Sequence, residues 1–350
     1  MKVDVAVVGA GTAGLVAASV LAKQGKKVAL VERERTLGGR SRHWQHRGHE
    51  IGLGSHLVED PGDSLTLVCD MLGVTLEHSD RSDSMPFWDR TGWKPIQEFY
   101  GGASKQGLKR CIEAVVETPY EELDTLDHLS LREWMRRYTS DDGVFLVWEA
   151  ISMLEQITSQ WWEHSASENL YVRKLHYTLK RTAGYSFWPI GGWVKLWNEM
   201  ADAYKALGGT LLQPASVQRV LVENRVVTGL ELTGGEVIEA PEVVVSVPVW
   251  NLPRLFDDGV LPWDLLERIL LLRKNRNRAC WLGYWIAAKE PVIASSELEM
   301  ASFFATPRTA PSRTLTRSTL SGMYSVPPSP SNAAATRFHS DSQPPIGQNE

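Results

Sequence analysis

Apolar positions along the chain follow three different periods. Val3 to Val8 is apolar except at Asp4, which predicts a strand buried on both faces, and Val28 to Val31 repeats that pattern. Between them Leu15, Ala18, Leu21 and Ala22 recur at helical spacing, predicting a helix over Thr12 to Gln24 that Gly25 caps. A helix is also expected from Ser64 to Leu72, closed by Gly73. From Ser104 to about Gln160 the helical period dominates. There Ser130-Leu131-Arg132-Glu133 reads as a capping box ahead of Leu131, Trp134, Met135 and Tyr138, and Gly143 as an interruption before a helix from Val144 to Gln160. Another helix is expected over Glu168 to Lys180.

The period changes again after Tyr185-Ser186-Phe187-Trp188-Pro189-Ile190-Gly191-Gly192-Trp193. A helix from Trp193 to Leu207, ended by Gly208-Gly209, precedes strand patterns at Thr210 to Leu212, Ser216 to Val222, Val226 to Leu232, Val237 to Glu239 and Glu242 to Val247. Residues 263–272 predict a helix and Ala279 to Ala288 an amphipathic strand. In residues 306–350, 21 of 45 positions are Ser, Thr or Pro and no apolar period persists, so this stretch cannot bury enough surface to offset its ordering entropy and is expected to be disordered.

Candidate chemistry sits at the first strand–helix junction, Gly9-Ala10-Gly11-Thr12-Ala13-Gly14. Gly9 permits a tight turn, Gly11 lets backbone approach a pyrophosphate, and Gly14 lets the helix pack closely on the strand. The helix N-terminus then presents unpaired N–H groups and the positive end of its dipole to the phosphates. Glu32, at the end of the second strand, would accept hydrogen bonds from the two ribose hydroxyls of an adenosine and repel a 2′-phosphate, which disfavours NADP. Arg33 adjoins it. Further on, Arg35-Thr36-Leu37-Gly38-Gly39-Arg40-Ser41 brings two glycines and a cation back towards the phosphates, and Ile51-Gly52-Leu53-Gly54-Ser55-His56 supplies a second glycine-bearing approach.

In these segments the sequence resembles the FAD-dependent family containing amine oxidases, protoporphyrinogen oxidases and phytoene desaturases, where a Gly-Gly-Arg segment follows the ribose-binding acid. Thr36 stands where family members often carry arginine. The resemblance implies FAD contacts from Gly9, Ala10, Gly11, Thr12, Ala13, Gly14, Glu32, Arg33, Gly38, Gly39, Arg40 and Ser41, with Gly52 to Ser55, and so Gly54 and Ser55, near the flavin ring. Pro214 to Val220 corresponds to the family strand whose valine backbone contacts adenine, a role carried onto Val217; a core valine would show the same alternation. The Pro-Ile-Gly-Gly turn resembles the phytoene-desaturase branch most closely. The family closes its flavin site with a late Gly-Asp strand and a glycine-rich helix, and neither is found here. This leads to the expectation of a truncated or frame-shifted chain with weak FAD binding.

Composition narrows the classes. With 350 residues, 43% hydrophobic content and a net charge of −5 without a basic cluster, two globular domains are expected and nucleic acid is excluded as a partner. Cys69, Cys111 and Cys280 form no CxxC, which removes a dithiol relay and suits a reducing cytosol. The first strand leaves no room for a signal peptide, and no apolar run approaches the ~20 residues of a membrane span, so a cytoplasmic protein is expected. His43, His46 and His49 lack a carboxylate or cysteine at ligand spacing and read as polar loop residues rather than a metal site. Trp161, Trp162, Trp188, Trp193, Trp281 and Trp285 could line an apolar pocket or simply fill core.

The expected fold is α/β: a Rossmann-like FAD-binding domain with a parallel sheet and a β-meander (residues 1–100 and 185–255), and a mainly helical inserted substrate domain (101–184 and 256–305) ahead of the disordered tail. The expected function is an FAD-dependent oxidoreductase exchanging hydride with a small apolar substrate, a polyene or retinoid. Peripheral membrane contact is compatible with such a substrate, and no catalytic side chain is assigned, since flavin performs the redox step. An amine oxidase is the alternative enzyme. A non-redox carrier of an apolar or prenyl group on the same fold is the alternative of another class, against which the glycine turn and Glu32 stand.

Overall fold

The computed structural model describes residues 1–46, 49–54, 58–59, 64–78, 87–88, 92–94, 98, 102–156, 164–178, 186–187, 189–274, 301–303 and 321–323. The chain divides into two units: Met1–Arg81, Thr158–Gln160 and Tyr185–Arg278 form one, and Ser82–Ile157, Trp161–Gly184 and Ala279–Glu350 the other.

In the first unit β1 (Val5–Val8), α1 (Thr12–Lys23) and β2 (Val28–Val31) follow in the predicted order. A hairpin of β3 (His43–His46) and β4 (His49–Gly52) and the helix α2 (Ser64–Leu72) come next. After residues of the other unit come α3 (Gly192–Ala206), β5 (Thr210–Leu212), β6 (Val217–Glu223), β7 (Val226–Leu232), β8 (Val237–Glu239), β9 (Glu242–Val245) and α4 (Trp263–Lys274). The strands β9-β1-β2-β5 make one parallel sheet, in which Val8 lies opposite Val31 on one side and Val245 on the other. The strands β6-β7-β8 form an antiparallel meander.

Alternation along β1 and β2 explains why both strands are apolar throughout. Val5, Val7, Val28 and Leu30 join Leu15, Ala18 and Ala22 of α1 and Leu196, Trp197, Met200 and Tyr204 of α3 in one core cluster. Ala6, Val8, Ala29 and Val31 turn to the opposite face and pack with Val220, Leu230, Leu232 and Ile238 of the meander. Helices therefore cover one face of the sheet and the meander covers the other. Tyr204 ties the edge strand in: its Oη lies 2.8 Å from Val28 O and 3.2 Å from Thr210 O.

In the second unit, helices over Lys105–Glu117, Leu131–Met135, Asp142–Gln156 and Ala166–Thr178 enclose Cys111, Val115, Leu123, Leu131, Trp134, Met135, Val144, Trp148 and Leu170. The capping box forms: Ser130 Oγ accepts from Glu133 N at 3.3 Å, and Glu133 Oε2 accepts from Ser130 N at 3.0 Å. Gly143 does not interrupt a helix, as the sequence suggested. It lies in the first turn of Asp142–Gln156, and a Cβ there would stand 2.5 Å from Gly102 O, so close backbone approach is its reason. A buried trio of polar groups spans two of these helices, with Trp148 Nε1 donating to Asn169 Oδ1 at 3.3 Å and Asn169 Nδ2 to Ser152 Oγ at 3.0 Å. Within 306–350 the described residues are Ser321–Met323, a strand paired with Ala301–Phe303. The expected strand from Ala279 to Ala288 and the rest of the expected tail lie outside the described residues.

Candidate functional site

The turn after β1 is built from contacts that only glycine allows. Gly9 adopts φ +92°, donates its N–H to Val31 O at 2.8 Å, and would place a Cβ 2.8 Å from Ser246 O. At Gly14 a Cβ would fall 1.8 Å from Gly9 O and 3.1 Å from Ser246 Cβ. Both glycines are therefore required by the fold itself.

Gly11 is different. Its φ of −69° suits any residue, and a Cβ would find nothing nearer than Gly39 Cα at 3.7 Å. No internal contact demands glycine there. Gly11 is also the N-cap of α1, with no side-chain cap and no acid in the first turn. Leu15 N–H is the amide that reaches back to Gly11 O, at 2.9 Å, which leaves the earlier amides of the first turn, from exposed Thr12 and Ala13, without helical partners. An uncapped helix N-terminus is a site for an anion.

Glu32 lies behind this turn, only 7% exposed, with Oε2 accepting from Ala10 N at 2.7 Å and Oε1 from Glu34 N at 2.8 Å. Each carboxylate oxygen keeps a further lone pair, so the group can still accept from hydroxyls. Arg33 is exposed and pairs with Glu34 at 3.3 Å, which Arg42 also approaches at 3.4 Å. On its other side Glu32 N donates to Leu212 O at 2.9 Å, and Ala215 N to Glu32 O at 2.7 Å. That brings the segment entering β6 beside the acid. Val217 opens β6 there, half-buried and paired with Leu232.

The glycine pair docks on the same turn. Gly38, at φ +98°, donates its N–H to Ala10 O at 2.9 Å, and Gly39 would place a Cβ 3.1 Å from Gly11 Cα. Ser41 is buried, whereas Arg40 is exposed. Gly54 joins them, since a Cβ on it would stand 1.5 Å from Arg40 O, and Leu53 N donates to Arg42 O at 2.9 Å. The structure thus brings Gly9 to Gly14, Glu32, Gly38 to Ser41 and Gly54 together; Ser55 lies outside the described residues.

His43 and His46 belong to the strand β3 rather than to a loop, with His46 facing His49 in register and His43 facing Gly52. Among the described residues no group of three or more His, Cys, Asp or Glu could hold a metal. Trp193 stacks on Trp197 with ring centroids 5.1 Å apart, whereas Trp161, Trp162, Trp188, Trp281 and Trp285 lie outside the described residues. Two residues of the site were not singled out from sequence: Trp197, whose indole packs on Gly38, and Ser246, which meets both Gly9 and Gly14. Ser246 follows an apolar strand directly, the one sequence signal that could have found it.

Residues 12–284 match the profile of the family described as flavin containing amine oxidoreductase. The chain is 24% identical over 282 residues to an all-trans-zeta-carotene desaturase of Myxococcus xanthus, covering 69% of this chain and 52% of that protein. It is 24% identical over 275 residues to a lycopene-forming phytoene desaturase of Pseudescherichia vulneris, covering 70% and 56%. The chain therefore spans little more than half the length of these curated relatives. A solved structure of an oxidoreductase from Methanosarcina mazei superposes with a TM-score of 0.60 at 20% identity, covering 78% of this chain and 64% of that one, which shows a shared fold.

Proposed function

The chain belongs to the flavin-containing amine oxidoreductase family, and from that premise we propose that it is an FAD-dependent oxidoreductase acting on a C–H or C=C bond of an apolar polyene or retinoid. The observation that carries the cofactor side is Gly11: a glycine needed neither by its own backbone angles nor by its neighbours, at an uncapped helix N-terminus. The surrounding residues fit FAD. First-turn amides of α1 and exposed Arg40 meet the negative pyrophosphate, while the spare lone pairs of Glu32 receive ribose hydroxyls. Gly9, Ala10 and Gly14 shape the turn, Gly38, Gly39 and Ser41 brace it, and Val217 lies on the strand assigned to adenine. Arg33 adds positive charge at the rim.

Bound FAD would supply hydride chemistry, taking a hydride from a substrate carbon as its neighbour loses a proton, or giving one to a double bond whose other carbon gains a proton. The chain's part is to hold the dinucleotide and exclude the 2′-phosphorylated alternative. The desaturase relatives support a polyene substrate; the family also includes amine chemistry. A protein with this composition and three dispersed cysteines suits the cytoplasm, and exposed Trp263, Leu270, Leu271 and Leu272 on α4 support contact at a membrane surface where an apolar substrate resides. Among the described residues no helix is long and apolar enough to cross a membrane.

The test is a purified protein titrated with FAD and assayed with polyenes, retinoids and amines. Flavin reduction or turnover with polyenes or retinoids is expected. Turnover of amines with release of hydrogen peroxide would overturn the desaturase reading in favour of an amine oxidase.

A further inference from the structure

We infer that Trp197 is a positioning residue for the dinucleotide site, acting through Ser41 on the Gly38-Gly39 pair. The inference rests on the proposed FAD site and adds a component to it from α3, far along the chain. Trp197 is 1% exposed, and as a ring it is one member of the core between α1 and α3. A core role alone would need only the ring. Its N–H, however, donates to Ser41 Oγ at 2.9 Å, and Ser41 Oγ in turn donates to Gly38 O at 2.8 Å. Ser41 N donates to the same carbonyl at 2.9 Å.

The contact at Gly38 is equally specific. A Cβ built there would lie 2.5 Å from Trp197 Cδ1 and 2.8 Å from its Nε1, so the indole edge occupies the space that any other residue would fill. Gly38 is then held at both peptides: its N–H by Ala10 O and its carbonyl by Ser41, with the indole against its α-carbon. Gly39 follows, and a Cβ on it would stand 3.1 Å from Gly11 Cα. The relay from Trp197 Nε1–H through Ser41 to Gly38 therefore sets how closely the Gly-Gly-Arg segment stands over Gly11. Trp193, stacked on Trp197 at an interplanar angle of 4°, supports the ring without joining the relay.

The experiment compares wild type, Trp197→Phe, Ser41→Ala, the double variant and Trp193→Phe by FAD titration, melting without FAD, and hydrogen exchange of the flavin-free protein. Trp197→Phe and Ser41→Ala should each weaken FAD binding roughly fivefold, the loss expected for one buried hydrogen bond, and speed exchange at the Gly38 and Ser41 amides, which donate to Ala10 O and Gly38 O. The double variant should bind about as well as either single one, because both changes cut the same relay. Trp193→Phe should lower the melting temperature and leave affinity unchanged. Lowered melting with unaltered affinity and exchange in Trp197→Phe and Ser41→Ala would reduce Trp197 to a packing residue and overturn the inference. A wild type that takes up no FAD overturns the proposed function, and the exchange rates at Gly38 and Ser41 then decide the relay by themselves.

Discussion

The carboxylate of Glu32 accepts the backbone N–H of Ala10 at 2.7 Å, joining the end of β2 to the middle of the glycine turn that leaves β1. Through this bond the acid does two things at once. It holds the turn in shape, and it carries the acceptors offered to a ribose.

Replacing Glu32 with Gln separates those tasks only in part. One amide oxygen can still accept from Ala10 N or Glu34 N, but the NH2 group must then face the other donor, and an unsatisfied buried group costs about 1–3 kcal/mol. Glu32→Gln should therefore lower thermal stability and weaken FAD binding at least roughly tenfold, read by melting and by flavin titration. Stability and affinity equal to wild type would remove Glu32 from the site.

The glycines of the turn should divide by phenotype. Gly11→Val keeps an ordinary φ and brings its Cβ only to van der Waals distance of Gly39 Cα, 3.7 Å, so the folded protein should persist while the branched side chain fills the phosphate space and FAD retention is lost. At Gly14 even Ala would drive a Cβ to 1.8 Å from Gly9 O, so Gly14→Ala should force α1 away from the turn after β1 at a cost of ~3 kcal/mol or more. Melting curves with and without FAD distinguish the two. A Gly11→Val protein that still retains FAD would refute the placement of the site.

How much of this could be read in the sequence depended on the range of the interaction. Val5–Val8 and Val28–Val31 were legible because burial on both faces leaves a continuous apolar run, and the capping box at Ser130 was legible because its partners lie three residues apart. Gly143 misled, because glycine in a helical pattern reads as a break until Gly102 is seen packed against it. Ser246 was marked only by its place after an apolar strand, and Trp197 was not legible as a site residue. Their contacts with Gly9, Gly14 and Gly38 arise from parallel pairing and helix packing across most of the chain, and a tryptophan at a core position of α3 carries no mark of its hydrogen bond.

The cysteines make a pH-dependent prediction. Burial pushes the Cys111 thiol up to about 11, and burial, with Asp70 and Glu199 adding to it, also raises Cys69. In the unfolded chain a thiol loses its proton near pH ~8.5. Above that pH the folded state binds more protons than the unfolded one, so stability falls as pH rises from there towards the folded value. Cys111→Ala should flatten this alkaline decline in melting temperature, while also lowering stability throughout through the lost core volume. Both native thiols should resist alkylation at pH 8 until the protein is unfolded. Rapid labelling of Cys111 in the native protein would contradict its buried, protonated state.

Tyr204 offers the most direct test of how the parallel sheet is tied to its helical cover. Its hydroxyl has one proton to give and stands between two carbonyls of adjacent strands, Val28 O in β2 and Thr210 O in β5. Burial raises its pKa well above the usual tyrosine value, so the hydroxyl stays protonated across the range in which the protein is folded. Gly209 is the reason the ring fits, since a Cβ there would stand 2.1 Å from the ring. Tyr204→Phe keeps the ring and removes only the polar link, so it should cost about 1–2 kcal/mol and lower the melting temperature by roughly 2–6 °C. Gly209→Ala should cost more, because it displaces the ring from between α3 and the sheet. Neither change touches the glycine turn, so FAD affinity of the folded protein should stay as in wild type. A loss of FAD binding in Tyr204→Phe without loss of stability would mean that the edge strand β5, and the segment it leads into at Val217, is held in place for the nucleotide by this one hydroxyl.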